Sequence, residues 1–395
     1  MRSAAEAGSL RLLSAGLAAA LTIAVALVSP GQTGGGALLL LTSAQLSASI
    51  GRLGADGLIH SLAAKKTQPV GSVVSNARSI ATVGTIVFAG LASLLLLPGE
   101  NLVARLLLVP AAVTTAWVMV RADFLFVTQR PVGAVFYQAL VFPASALAGL
   151  LAHLAASRPG ELGEWMLASV VLVSVLALRY GPQGDVQDGG SYLPTLKLRS
   201  DIRSALLTWP FELQRSLFLW LPQIVAESLD GAETKILILR LTALSSMVIV
   251  LARNLVIPGA IQASSRSLRS IQAWFALCCV IAILPVAVAV ASVGVQTAAL
   301  TSDESWLAGL SLLALALRGW FVAGFTVNSA LGMFGRTAWQ ALLGIGLIVV
   351  ASPLMFQSSD GAQLGAILLL VALTHLLVAG CIDIRAARSF RTATG

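Results

Sequence analysis

Twelve apolar runs of about 18 to 25 residues follow one another along this 395-residue chain, centred near Ala20, Gln45, Phe88, Thr114, Pro143, Val171, Phe218, Met247, Ile283, Leu315, Leu347 and Leu370. A helix needs roughly 20 such residues to cross a bilayer core. The pattern therefore predicts an all-α, polytopic membrane protein of about twelve transmembrane helices in two six-helix bundles. Composition agrees: 57% of residues are hydrophobic and 11% charged, against about 25% charged in soluble domains. The first run, Leu10 to Ser29, exceeds the roughly 7 to 15 residues of a secretory signal's apolar core and no A-x-A site follows it, so it reads as a span.

Charge alternates between successive loops. Arg2, Arg11, Arg52, Lys65, Lys66, Arg78, Arg121, Arg130, Arg179, Lys197, Arg199, Arg203, Arg253, Arg266, Arg269, Arg336, Arg385, Arg388 and Arg391 fall on one side. Arg105, Arg158 and Lys235 fall on the other, among Glu100, Glu161, Glu164, Asp230, Glu233, Asp303, Glu304 and Asp360. By the bias of Lys and Arg toward the cytoplasm, both termini are expected inside. One extended polar stretch, rich in Gly, Asp and Gln, separates six runs from six. The expected organisation is an N-terminal bundle over 1–180, a cytoplasmic linker over 181–202 and a C-terminal bundle over 203–395, two halves that rock against each other.

Several function classes fall away. Cys278, Cys279 and Cys381 sit in apolar runs, and His60, His153 and His375 are scattered, so neither a disulfide framework nor a metal or other cofactor is expected. The net charge of +8 lies in short loops beside apolar runs rather than along one solvated face, which points to anionic lipid head groups and not to nucleic acid.

The informative stretch is 203–262, two apolar segments joined by the acidic turn Asp230-Gly231-Ala232-Glu233-Thr234. They carry Glu212, Arg215, Arg240 and Arg253. A charge at the bilayer centre costs about 2.5 to 3.5 kcal/mol even on a lenient scale, so these groups need a wet or paired environment. Arg215 stands three residues after Glu212, on the same helix face, and reads either as its structural ion-pair partner or as part of an ion-coupled site. Glu212, the one acid read as well inside a helix, is the candidate for proton or sodium coupling. Arg318 has no acid within a helical turn and is the candidate cavity cation. Arg240 reads as a cavity group or as snorkelling outward. Arg52 and Arg253 read as inner-mouth cations or as ordinary interfacial residues. Arginine's planar fork suits phosphate oxygens, so Arg215, Arg240, Arg318, Arg52 and Arg253 form the expected substrate-binding set. Trp209, Trp306 and Trp339 read as interface anchors.

The run Gly51-Arg52-Leu53-Gly54-Ala55-Asp56-Gly57-Leu58-Ile59-His60-Ser61-Leu62-Ala63 resembles the element after the second helix of bacterial polysaccharide flippases, members of the multidrug/oligosaccharidyl-lipid/polysaccharide exporter superfamily. The matching positions are Gly51, Leu58, His60 and Ala63, with His60 where the family often has arginine. The second half is similar through the turn at Asp230 and the following Leu239-Arg240-Leu241 and Asn254-Leu255-Val256-Ile257-Pro258. The resemblance implies flipping of a polyprenyl-pyrophosphate-linked oligosaccharide across the bacterial cytoplasmic membrane by alternating access, for surface polysaccharide biosynthesis. Its partners would be the lipid-linked oligosaccharide, membrane lipids and a proton or sodium counter-ion. The alternatives are a cation-coupled multidrug exporter of the same superfamily and, from another class, a membrane-embedded polysaccharide polymerase or ligase. The enzyme is disfavoured because the external loops are short and acidic. The exporter of cationic drugs is disfavoured because intramembrane cations are counted as outnumbering acids.

Overall fold

The computed structural model describes residues 2–28, 32–56, 59, 70–95, 101–128, 130–156, 162–182, 198–232, 234–243, 300–330 and 334–393. Among them the regular structure is helical, with no strand. In chain order the helices are α1 (Arg2–Val28), α2 (Gln32–Gly51), α3 (Val70–Leu95), α4 (Leu102–Val127), α5 (Pro131–Ala156), α6 (Leu162–Tyr180), α7 (Leu198–Ala226), α8 (234–243), α9 (Ser302–Ala330), α10 (Phe334–Phe356) and α11 (Gly361–Ala393). Six of the described helices are long and apolar enough to cross a membrane: α3, α4, α5, α6, α10 and α11. The runs expected near Met247 and Ile283 and residues 183–197 of the expected 181–202 linker lie outside the described residues, whereas 198–202 of that linker are helical, the start of α7.

Two compact units divide the chain, Met1–Ser216 and Leu217–Gly395, and the division falls within α7. In the first, α2 packs on α3, α4 and α6, α5 packs on α6, and α1 lies along α5. Helices approach closely where a small residue removes the side chain from the contact. A Cβ on Gly149 of α5 would stand 2.5 Å from Met166 Cα of α6.

Helix α5 shows how proline is accommodated. Pro143 has no N–H for the carbonyl of Ala139 four residues back, and a π-helical turn, Phe136–Leu140, loosens the helix there. The hydroxyl of Ser14 in α1 donates to that Ala139 oxygen at 2.6 Å. The same substitution of side chain for backbone occurs in α10, where Ser352 donates to Val349 O at 2.8 Å, the carbonyl that Pro353 leaves open.

In the second unit α9 packs against α11 and α10 against both. Helix α9 begins with a capping box: Thr301 accepts from Glu304 N–H at 3.3 Å, and the Glu304 carboxylate accepts from Thr301 N–H at 2.9 Å. Asp303, next to this cap, binds Lys235 Nζ at 2.8 Å and accepts from the Ala362 N–H at 2.6 Å, so one carboxylate joins the starts of α8, α9 and α11. Burial alone would raise its carboxyl, but the hydrogen bond from Lys235, the Ala362 and Gly361 amides and the Lys235 charge hold it below the usual carboxylate range. Residues 235, 303 and 361 thus share one end of this unit, as the alternation of loops requires.

Candidate functional site: a buried charge cluster in the first unit

Helix α2 ends at Gly51 against α3, and the sequence explains why it can end so close. A Cβ on Gly51 would sit 2.4 Å from Thr85 Cα, and one on Gly84 would sit 2.1 Å from the Gly51 carbonyl oxygen. Only paired glycines permit that crossing. The chain then turns through Arg52, Leu53 and Gly54, with φ of 49° at Leu53 and 80° at Gly54. Left-handed backbone is cheap for glycine and disfavoured for leucine. The indole of Trp209 in α7 donates to the last-turn carbonyl of Ile50 at 3.0 Å, which also accepts from the Leu53 N–H at 3.1 Å. Trp209, half-buried, thereby ties α7 to the end of α2 within the first unit.

This turn delivers Arg52 into the interior. Its Nη1 donates to Asp123 Oδ2 of α4 at 2.7 Å, and its Nη2 lies 3.5 Å from Glu212 Oε2 of α7. Arg215, one turn along α7, approaches the same Glu212 oxygen at 3.0 Å. Asp56 also acts on the Arg52 charge. Arg52, Asp56, Asp123 and Glu212 are each no more than 5% exposed, and Arg215 is half-buried. Fully ionised, the five groups carry three negative charges against two positive. Earlier in α2, Ser43 and Ser47 share a helix face, both buried, and their hydroxyls have no hydrogen-bond partner among the described residues.

Two of these residues were not legible as interior groups. Glu212 is not the one acid inside the bundle, because Asp56 and Asp123 are buried with it. The sequence places Asp123 two residues past Arg121 and Asp56 after two glycines, both of which look like loop edges. The first unit thus buries three carboxylates where the sequence reading counted one, which weakens the argument against a cationic cargo. Arg52 is neither snorkelling nor at a loop edge but ion-paired in the core. Arg253 and His60 lie outside the described residues.

The other expected cations belong to the second unit. Arg318 is 5% exposed, with its guanidinium carbon 4.6 Å from the centre of the Phe218 ring, a cation–π contact. Arg240 is half-buried on α8. Among the side chains described, no carboxylate of this unit is buried. His375 packs its ring 4.0 Å from that of Phe321 and sits 3.0 Å from the Gln340 carbonyl oxygen. A crevice of about 20 Å³ lies among Phe218, Pro222, Leu239, Thr242, Ser311 and Leu368, room for about one water.

Solved structures with this arrangement of helices exist. An outward-facing multidrug resistance MATE family transporter of the MOP superfamily aligns over 99% of this chain and 96% of its own, with a TM-score of 0.59 at 13% identity. A eukaryotic MATE transporter aligns over 97% and 95%, with a TM-score of 0.56 at 13% identity. The Vibrio cholerae MATE transporter VcmN aligns over 98% and 99%, with a TM-score of 0.51 at 13% identity. The chain has the MATE fold. No protein-family model matches the chain, and no curated protein matches it. In this MATE-fold chain the expected site residues fall into two groups: Arg52, Glu212 and Arg215 meet in the first unit, whereas Arg240 and Arg318 lie in the second.

Proposed function

We propose that this chain is a cation-coupled secondary transporter, a multidrug-type exporter of organic cations working by alternating access between two helix bundles. The observation that carries this reading is the gathering of three buried carboxylates from separate parts of the chain, Asp56, Asp123 and Glu212, around Arg52. Carboxylate oxygens are the ligands that a proton or a sodium ion takes. The Asp123 and Glu212 oxygens that converge on Arg52 are ligands suited to a hard cation. The MATE fold, shared with multidrug transporters, supports transport over catalysis. With the loop charge bias, the reading places the protein in a bacterial cytoplasmic membrane, both termini inside.

The test is transport by the purified protein in liposomes. An imposed proton or sodium gradient should drive movement of a fluorescent organic cation, and Asp123→Asn should reduce it at least tenfold. Absence of gradient-driven movement in the wild type, or full activity with Asp123→Asn and Glu212→Gln combined, would overturn the reading.

One observation favours a second reading, the flipping of a lipid-linked oligosaccharide. Arg318 and Arg240 make the second unit's described interior cationic, which suits a pyrophosphate head group. On that reading Arg318→Ala stops export of surface polysaccharide while the protein remains in the membrane. Normal export would exclude it.

A further inference from the structure

We infer that Arg52 is a tethered counter-cation, which occupies the place of the coupling ion in the resting cluster and is displaced when that ion binds. The inference rests on the ion-coupled reading proposed above and assigns a device to it. A single guanidinium divides its two terminal nitrogens between carboxylates on different helices, Nη1 on Asp123 of α4 and Nη2 on Glu212 of α7. Whatever neutralises either carboxylate removes the charge that holds Arg52. The mobile cation and the guanidinium therefore compete for the same oxygens.

Every charged group known to act on Arg52 belongs to this contest. Asp123 comes from α4, Glu212 and, through it, Arg215 from α7, and Asp56 from the turn after α2. Helix α3 crosses this end of α2 at Gly84 and Thr85, which carry no charge, and bears Arg78, with its Nε buried, six residues before Gly84. Helix α6 meets it through Gly163 beside Leu40, twelve residues earlier in α2 and about 18 Å away at 1.5 Å per residue.

The tether is built to move. Arg52 opens a turn whose next residue, Leu53, is held at φ 49°, a conformation that persists only while its surroundings enforce it. Release of the guanidinium removes one of those constraints. Glu212 keeps Arg215 at 3.0 Å when Arg52 leaves, so displacement shifts charge without stranding that carboxylate. Glu212 also stands four residues before the boundary at Ser216, on the helix that continues into the second unit. Occupancy of the cluster is thus written onto α7 itself. In this scheme no covalent bond changes. A cation enters, an ion pair opens, and the reverse step expels the cation.

The experiment measures cation affinity and transport separately, in the full-length protein, with sodium and protons as the probes. Arg52→Gln should bind sodium, or take up its proton, at least about tenfold more tightly than wild type, because a unit positive charge has left the site. The same variant should lose gradient-driven transport, since nothing remains to expel the bound cation. Arg52→Lys keeps the charge but cannot bridge both carboxylates, and should bind about two- to fivefold more tightly with slowed transport. A merely structural arginine would weaken binding in both variants. Unchanged or weaker affinity in Arg52→Gln, or in Arg52→Lys should the glutamine variant not fold, overturns the inference. A wild type that binds neither cation overturns the coupled-transport reading and the inference with it, whereas a wild type that binds while Arg52→Gln is unaltered overturns the inference alone.

Discussion

Placing a methyl group on Gly84 tests the architecture that holds the cluster together. The Cβ of Gly84→Ala would lie 2.1 Å from the Gly51 carbonyl oxygen and 2.8 Å from the Leu53 Cγ and Cδ1 atoms. Carbon and carbonyl oxygen approach no closer than about 3.3 Å, so α2 and α3 must part by roughly 1.2 Å at this point. The obstacle is backbone and cannot rotate away, which puts the cost at the upper end of overpacking, about 3 kcal/mol. A displacement of that size carries the Arg52 turn outward. It stretches the 2.7 Å contact with Asp123 past hydrogen-bonding range, and a buried pair opened from one side is costly. Thermal unfolding in detergent should show a midpoint lowered by at least about 5 °C, together with lost transport. Gly90→Ala on the same helix is the control, since a Cβ there meets nothing within 4 Å. It removes a helix-destabilising glycine and should be neutral or stabilising. Equal stability of Gly84→Ala and wild type, or equal damage from both variants, would refute the close-crossing argument.

Ser14→Ala deprives the buried Ala139 carbonyl of its donor while Pro143 cannot replace it, so it should cost about 1 to 3 kcal/mol, measured as a lower thermal midpoint. Asp303→Asn should loosen the end of the second unit at neutral pH by no more than about 1 kcal/mol, because the carboxylate is partly exposed. The sign of its pH dependence follows from the lowered folded-state value. The wild type's advantage is complete above the unfolded carboxylate value of about 4 and is lost as pH falls through the lower folded-state value. A difference between Asp303→Asn and wild type that does not shrink as pH is lowered from about 4 towards about 2 would contradict the ion-pair role.

Fold class was legible in the sequence because the bilayer imposes a length and a polarity that any spanning segment must satisfy. Runs such as Leu102 to Val127 and Leu162 to Tyr180 announce themselves as helices without reference to any neighbour. The pairing of Glu212 with Arg215 was equally local, a consequence of three-residue spacing on one helix. Arg52 with Asp123 was not, because the two stand 71 residues apart and meet only when α2 crosses α3 through Gly51 and Gly84. For the same reason Asp56 and Asp123 looked like residues at the edges of loops. Burial depends on what other helices bring to the same place, and hydropathy read along one strand of sequence contains no such term. Sequence alone therefore determined that the chain spans a membrane and which helix faces carry charge. Tertiary structure decided which charges meet, because Coulomb energy depends on distance through space and the chain's order does not fix that distance.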